Sequence, residues 1–253
     1  MPSLAELRAV AQPESLLARR GEEHWAGRLY MRRASLHVTR LLVSTRVTPN
    51  QITALMVPAG LLAAFALSFA GVWPAVVAVL LTHVQLLLDC IDGELARWRQ
   101  AFSLRGIYLD QIAHYSTEAA LPAGLGVRAD GGWDSIGGWT ALGLGISALI
   151  LLLKAETHLV LFARVRSGRP PVAEGRAEPE GGRSWLREGP RLLPAFRPFH
   201  AIEAGLLALV AAIGDALLGE LLGTRVLVGG LAAAAVVAVA GHLAAVLTSS
   251  RLR

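Results

Sequence analysis

The chain has 253 residues, of which 54% are hydrophobic and 17% charged, with a mean hydropathy of +0.50 and a formal net charge of +5. A soluble domain of this length carries more charge, so the composition excludes an ordinary water-soluble globule and points to the bilayer. The lone Cys90 excludes an intrachain disulfide, and no nucleic-acid motif accompanies the basic residues, so a nucleic-acid partner is not expected.

Residues 1–50 read as a cytoplasmic, interfacial segment. Trp25, Leu29, Leu36, Leu41 and Leu42 interleave with Arg28, Arg32, Arg33 and Arg40, the pattern of a helix lying in the headgroup layer. Residues 1–20 lack a long apolar core, so no cleavable signal peptide is expected. Thr48-Pro49-Asn50 signals a helix start, with Asn50 able to cap the helix that follows. Apolar stretches long enough to span then recur at about 51–70, 74–97, 105–126, 137–160, 199–219 and 224–247. The alternation of a membrane barrel is missing, so the predicted fold is an all-α integral membrane bundle of six transmembrane helices, with residues 51–250 as one membrane domain. A short outer turn is expected at 127–136 and a polar cytoplasmic loop, rich in Gly, Pro, Arg and Glu, at 166–198. Of the 24 Lys and Arg, only Arg128 and Arg225 fall in the alternate loops. The positive-inside rule therefore places both termini and the 97–105 turn in the cytoplasm of a multi-pass cell-membrane protein.

The chemistry concentrates in residues 89–114, DCIDGELARWRQAFSLRGIYLDQIAH. On a helix, Asp89 and Asp92 share a face with the small residues Gly93 and Ala96, and Arg97 follows. On the next segment Gly106, Asp110 and His114 recur every four residues along one stripe. Carboxylates in a membrane segment are costly and mark functional sites. Three of them on two adjacent helices repel one another unless cations sit between them. Hard oxygen ligands suit Mg²⁺ or Mn²⁺, and two such ions can clamp a displacement at phosphorus. The small-residue floor leaves room for a nucleotide or pyrophosphate. Cys90, about 100° around the helix from Asp89, reads as packing.

The spacing D-x2-D-G-x2-A-R-x8-G-x3-D-x3-D resembles the signature of the CDP-alcohol phosphotransferases, with His114 standing where the family has its last Asp. The run Thr48-Pro49-Asn50-Gln51-Ile52-Thr53 is also similar to the family. The resemblance implies a membrane enzyme that moves a substituted phosphate from a CDP-linked donor, typically CDP-diacylglycerol, to an acceptor alcohol with release of CMP. It further implies phospholipid synthesis, two divalent ions held by Asp89, Asp92 and Asp110, and a CDP site at Gly93, Ala96, Arg97, Gly106, Asn50 and Thr53. A homodimer among membrane lipids is also implied. The family's last Asp is the proposed base for the acceptor hydroxyl, and three readings of His114 stand side by side. It is the catalytic base, a metal ligand, or the mark of an altered site. As a neutral imidazole beside dications it would titrate below the reference value of about 6.5 and accept a proton at neutral pH.

Rival readings are a transferase using a soluble CDP-polyol, a non-catalytic membrane protein that keeps the CDP and metal site, and a transporter. A transporter would carry its carboxylates deep in the bilayer on broken helices, unlike these. Among weaker signals, His83 and His242 are expected as helix-packing hydrogen-bond partners. Lys154 is expected to snorkel to the headgroups. Arg164, His200 and Glu203 are expected as interfacial anchors, with the lining of an acceptor pocket as the alternative, and Gly137, Gly138, Gly229 and Gly230 as points of close helix contact.

Overall fold

Each helix begins where the local chemistry can satisfy its first backbone amides. The computed structural model describes residues 1–13, 24–169 and 194–249. Helix α1 (Leu4–Ala11) opens on a capping box in which Ser3 and Glu6 exchange side-chain and backbone bonds. A π-helical stretch, Gly27–Met31, runs directly into α2 (Arg32–Leu42). Here Ser35, Leu36 and Thr39 turn inward while Leu29 and Leu41 face out. Leu7 and Ala11 of α1 pack on Leu36 of α2 and on Trp98, so the two helices form a small satellite core.

Six long helices follow. They are α3 (Pro49–Leu67), α4 (Val72–Arg99), α5 (Leu104–Asp130), α6 (Gly138–Arg166), α7 (Ala201–Leu218) and α8 (Leu222–Thr248). The start of α3 lies where expected, but Thr48 caps it. The Thr48 hydroxyl accepts from Gln51 N, and Gln51 Oε1 accepts from Thr48 N. Asn50 is thereby released for another contact. Among the described residues five helices are long and apolar enough to cross a membrane: α3, α4, α6, α7 and α8. Helix α5 has 27 residues, enough length to span, but Arg105, Asp110, Glu118 and Arg128 lower its apolarity. The chain is thus an all-helical, multi-pass membrane protein.

Helix α3 packs on α4 and α5, α5 on α6, α6 on α8, and α7 on α4 and α8. The shared core is built from small and aliphatic side chains, including Ala63, Leu67, Ala78, Leu121, Leu125, Ala208, Ala212 and Leu231. Outward faces carry Leu62, Phe65, Leu80, Val210 and Val237, as lipid contact requires. Close backbone approach occurs elsewhere than the sequence suggests. A Cβ on Gly124 would lie 2.3 Å from Ala64 O, and one on Gly143 would lie 2.4 Å from Pro122 O. Gly138, Gly229 and Gly230 face open space, and Gly137 meets the Asp130 carboxylate, so these four are not the helix-packing glycines. Sequence alone could not assign them, because either face of an apolar helix can accept a small residue.

Of the expected loop at 166–198, residues 170–193 lie outside the described residues. Helix α6 carries the chain through Arg166, and a 3₁₀ turn, Pro194–Phe199, leads into α7.

Candidate active site

The turn between α4 and α5 is short and tightly tied. Gln100 ends α4 in the left-handed region at φ 52°, with Ala101 N donating to Ala96 O at 3.0 Å. Ser103 caps α5, its hydroxyl accepting from Gly106 N at 2.9 Å and donating to Asn50 Oδ1 at 3.0 Å. Arg99 gathers the preceding linker, donating to Val47 O at 2.5 Å, Thr45 O at 2.8 Å and Leu42 O at 2.9 Å. The end of α2, the start of α3 and the α4–α5 turn therefore form one rigid block. Sequence reading missed Arg99, because its partners are backbone carbonyls and leave no residue-type signal.

On this block three groups converge. His114 Nε2 lies 3.4 Å from Asp89 Oδ1 and 3.4 Å from Asp110 Oδ1, with all three side chains about one-third exposed. Each presents a ligand atom within 4.8 Å of the others. Both contacts are longer than a good hydrogen bond, so the carboxylates are gathered without being satisfied. Asp92 is placed differently from its expected partners. It accepts from the buried hydroxyl of Thr53 at 2.5 Å, and Thr53 in turn donates to Pro49 O at 3.1 Å. The expected set Asp89, Asp92 and Asp110 is thus drawn as Asp89, Asp110 and His114, with Asp92 held to α3 beside them.

The remaining expected residues surround this cluster. Arg97 donates through Nε to Ala11 O at 2.5 Å, so its guanidinium is held by the end of α1. That guanidinium lies over Gly93, where a Cβ would come within 3.1 Å of Nη1. A Cβ on Gly106 would sit 2.7 Å from Asn50 Oδ1, so glycine is what lets α3 and α5 close on each other there. Ala96 is half-buried on the same turn. Glu94 escaped the sequence reading. It is fully buried and accepts from Gln12 Nε2 at 2.7 Å, Ser35 Oγ at 2.5 Å and Thr39 Oγ1 at 2.6 Å. This carboxylate helps clasp the two N-terminal helices to α4.

Two cavities open along α5, one reached by Ser103 before the cluster residues Asp110 and His114 in sequence and one by Glu118 after them. One, of about 380 Å³, is lined by Asn50, Arg99, Phe102 and Ser103 at the start of α5. The other, of about 260 Å³, is lined by Glu118, Lys154, Thr157, His200 and His242 with Phe199, Ile150 and Leu153. Lys154 does not snorkel. Its Nζ pairs with Glu118 Oε2 at 2.8 Å and rests 4.8 Å from the centre of the Tyr115 ring. His242 does join helices as expected, meeting Glu156 Oε2 at 2.9 Å, and His83 meets Tyr30 OH at 2.8 Å. His24, His200 and Glu203 make a second close group, in which Glu203 is already bonded by His24 at 2.7 Å and Trp25 at 2.8 Å. That group ties the N-terminal segment to α7.

A divalent cation fits the carboxylates of Asp89 and Asp110, with uncompensated negative charge and Asp92 nearby, and His114 Nε2 stands beside them as a further donor or a proton acceptor. Residues 46–170, from the linker before α3 to the end of α6, match the family model described as CDP-alcohol phosphatidyltransferase. The match contains the whole cluster and the Thr48–Thr53 cap, and over these residues the chain is similar to that family of transferases. None of the curated proteins compared with the chain matches it.

Proposed function

We propose that this protein transfers a phosphatidyl group from CDP-diacylglycerol to an acceptor alcohol, releasing CMP, in phospholipid biosynthesis. The observation that supports this best is the convergence of Asp89, Asp110 and His114, with two cavities opening along α5. Asp89, Asp110 and Asp92 would hold Mg²⁺ or Mn²⁺, which supplies charge neutralisation to a bound pyrophosphate. Asn50, Thr53, Gly93, Ala96, Arg97 and Gly106 would form the CDP side of the site. There Gly93 admits the guanidinium of Arg97, and the donor's phosphates would displace part of its present contact.

His114 takes the proton of the acceptor hydroxyl at Nε2, the atom that faces both carboxylates. The acceptor oxygen then forms its bond to the phosphorus distal to cytidine as the bond from that phosphorus to the bridging oxygen breaks. CMP leaves with the electron pair. Six helices span, with α5 as the sixth, its charged face turned to the site and both termini in the cytoplasm. Residues 1–50 lie in the cytoplasmic interface, and 51–250 form the catalytic membrane domain.

The test is a purified-protein assay of CMP and lipid product with CDP-diacylglycerol, Mn²⁺ or Mg²⁺ and a panel of alcohols. Metal-dependent CMP release that needs an alcohol supports the reading. Full-rate release after chelation, or donor binding without any transfer, contradicts it.

A further inference from the structure

We infer that the acceptor alcohol carries no net charge and binds in the cavity between α5, α6, α7 and α8. The inference rests on the phosphotransfer reading above and names the acceptor class for that site. The stripe Gly106, Asp110 and His114 continues to Glu118 one turn on, about 6 Å further along the helix. Glu118 lines the 260 Å³ cavity, so an alcohol held there would present its hydroxyl toward His114. The opposite cavity lies beside Asn50 and Ser103, where the CDP residues gather. The cluster thus separates a donor side from an acceptor side.

Charge decides what the acceptor side can take. Among the described lining residues the only permanent cation is Lys154, and it is matched by Glu118 at 2.8 Å. The two lining histidines stand beside further carboxylates, His242 at 2.9 Å from Glu156 and His200 in the same close group as Glu203 and His24. A phosphate monoester carries about −1.5 to −2 charges and is normally held by unmatched Arg or Lys donors. Here its oxygens would meet Glu118 as well as Lys154. A small polyol can use Thr157, His200 and the ion pair as hydrogen-bond partners. An amino acid bearing a hydroxyl can set its ammonium on Glu118 and its carboxylate on Lys154. Both are of zero net charge.

The experiment measures metal-dependent CDP-diacylglycerol binding first, then CMP release with glycerol, serine and glycerol 3-phosphate as acceptors. Wild type should use glycerol or serine at least tenfold better than glycerol 3-phosphate, and the better of the two identifies polyol or zwitterion. Glu118→Gln frees Lys154, so it should raise the rate with glycerol 3-phosphate relative to the neutral acceptor by about tenfold. A merely structural Glu118 would lower both together. Preference for glycerol 3-phosphate in wild type overturns the inference while leaving phosphotransfer intact. Loss of both rates in Glu118→Gln, or bound donor with no transfer to either neutral acceptor, also overturns it. Failure of the donor to bind at all removes the phosphotransfer reading itself.

Discussion

The two ends of the bundle use the same residue types to opposite effect. At the far end Arg128 is fully buried between α3, α7 and α8. Its Nε donates to Thr224 Oγ1 at 3.0 Å, Nη1 donates to Phe69 O and Gly71 O at 2.9 Å, and Nη2 lies 3.6 Å from Asp215 Oδ2. Asp215 also accepts from Thr224 N at 3.0 Å and from the Thr224 hydroxyl. Arg225 donates to Ala129 O at 3.0 Å. The two basic residues that break the positive-inside pattern are therefore both spent on structure. At the near end, three carboxylates and an imidazole gather with contacts of 3.4 Å or a single hydroxyl partner, and stay part-exposed. A buried network bonded mainly within the protein specifies packing, and a part-exposed cluster with long contacts leaves room for a ligand.

The largest expected effect separates the ends by activity. His114→Ala should lower turnover by roughly 10²–10⁴ while donor binding persists, the range for losing a general base. Asp89→Asn should remove both metal binding and most activity, on the order of 10²–10³ or more, as charge stabilisation is lost. Neither should lower thermal stability in detergent without metal, since each relieves a crowded cluster. CMP release, metal titration and an unfolding curve on the same preparations check this. Normal turnover in His114→Ala would remove the base assignment, and loss of metal binding in it would make His114 a ligand.

The second effect is the mirror image. Arg128→Met leaves Asp215 buried without its cation, and breaking one partner of a buried pair costs about 3–5 kcal/mol. The unfolding midpoint should fall sharply, while the fraction that remains folded keeps its KM for donor and acceptor. A changed KM with an unchanged midpoint would show that the far end belongs to the site after all.

Glu94 tests a link between the two behaviours, since it is satisfied like the far end yet sits within the motif. Glu94→Gln keeps the shape but replaces one acceptor oxygen with a donor, facing either Thr39 or the pair Gln12 and Ser35, costing about 1–3 kcal/mol. Proteolysis of the first 13 residues should become faster. The KM for the CDP donor should rise more than kcat falls, because Arg97 is held by Ala11 O at the end of α1. An unchanged donor KM with faster proteolysis would limit Glu94 to anchoring.

What the sequence made legible follows from periodicity. Apolar runs set the helices to within a few residues, and four-residue spacing put Asp110 and His114 on one face. The bond from Thr53 to Asp92 was not legible, because spacing shows the face but not the rotamer, and Thr53 lies on another helix. Glu94, Arg99 and Lys154 were misread or missed for one reason. Their partners are far away in sequence, at Gln12, Val47 and Glu118, and only packing brings them together. The motif was readable since two neighbouring helices and a short turn carry all of it.

The smallest effect refines the far end. Asp130 closes α5, outside the apolar spans, and reaches across the outer turn to the start of α6. Its carboxylate accepts from Gly137 N and Thr140 N at 2.7 Å, Trp139 N at 3.2 Å and Thr140 Oγ1 at 2.7 Å. Partial burial pushes its pKa up, but the bonds from Thr140, Gly137 and Trp139 outweigh this and hold it below the ordinary carboxylate value. A group with a lowered folded pKa favours the folded state while ionised. The contribution is present above the unfolded value of about 3.9 and fades as pH falls through the lower folded value. Asp130→Ala should cost about 0.5–2 kcal/mol near neutral pH, the size of one helix cap. The gap between wild type and variant should hold from neutral pH to about 5 and narrow only below about 4. Unfolding midpoints taken from pH 7 to pH 3 would show this. A gap that stays constant to pH 3 would mean that shape, not charge, seats the outer turn, and CMP release should be the same in both proteins throughout the neutral range.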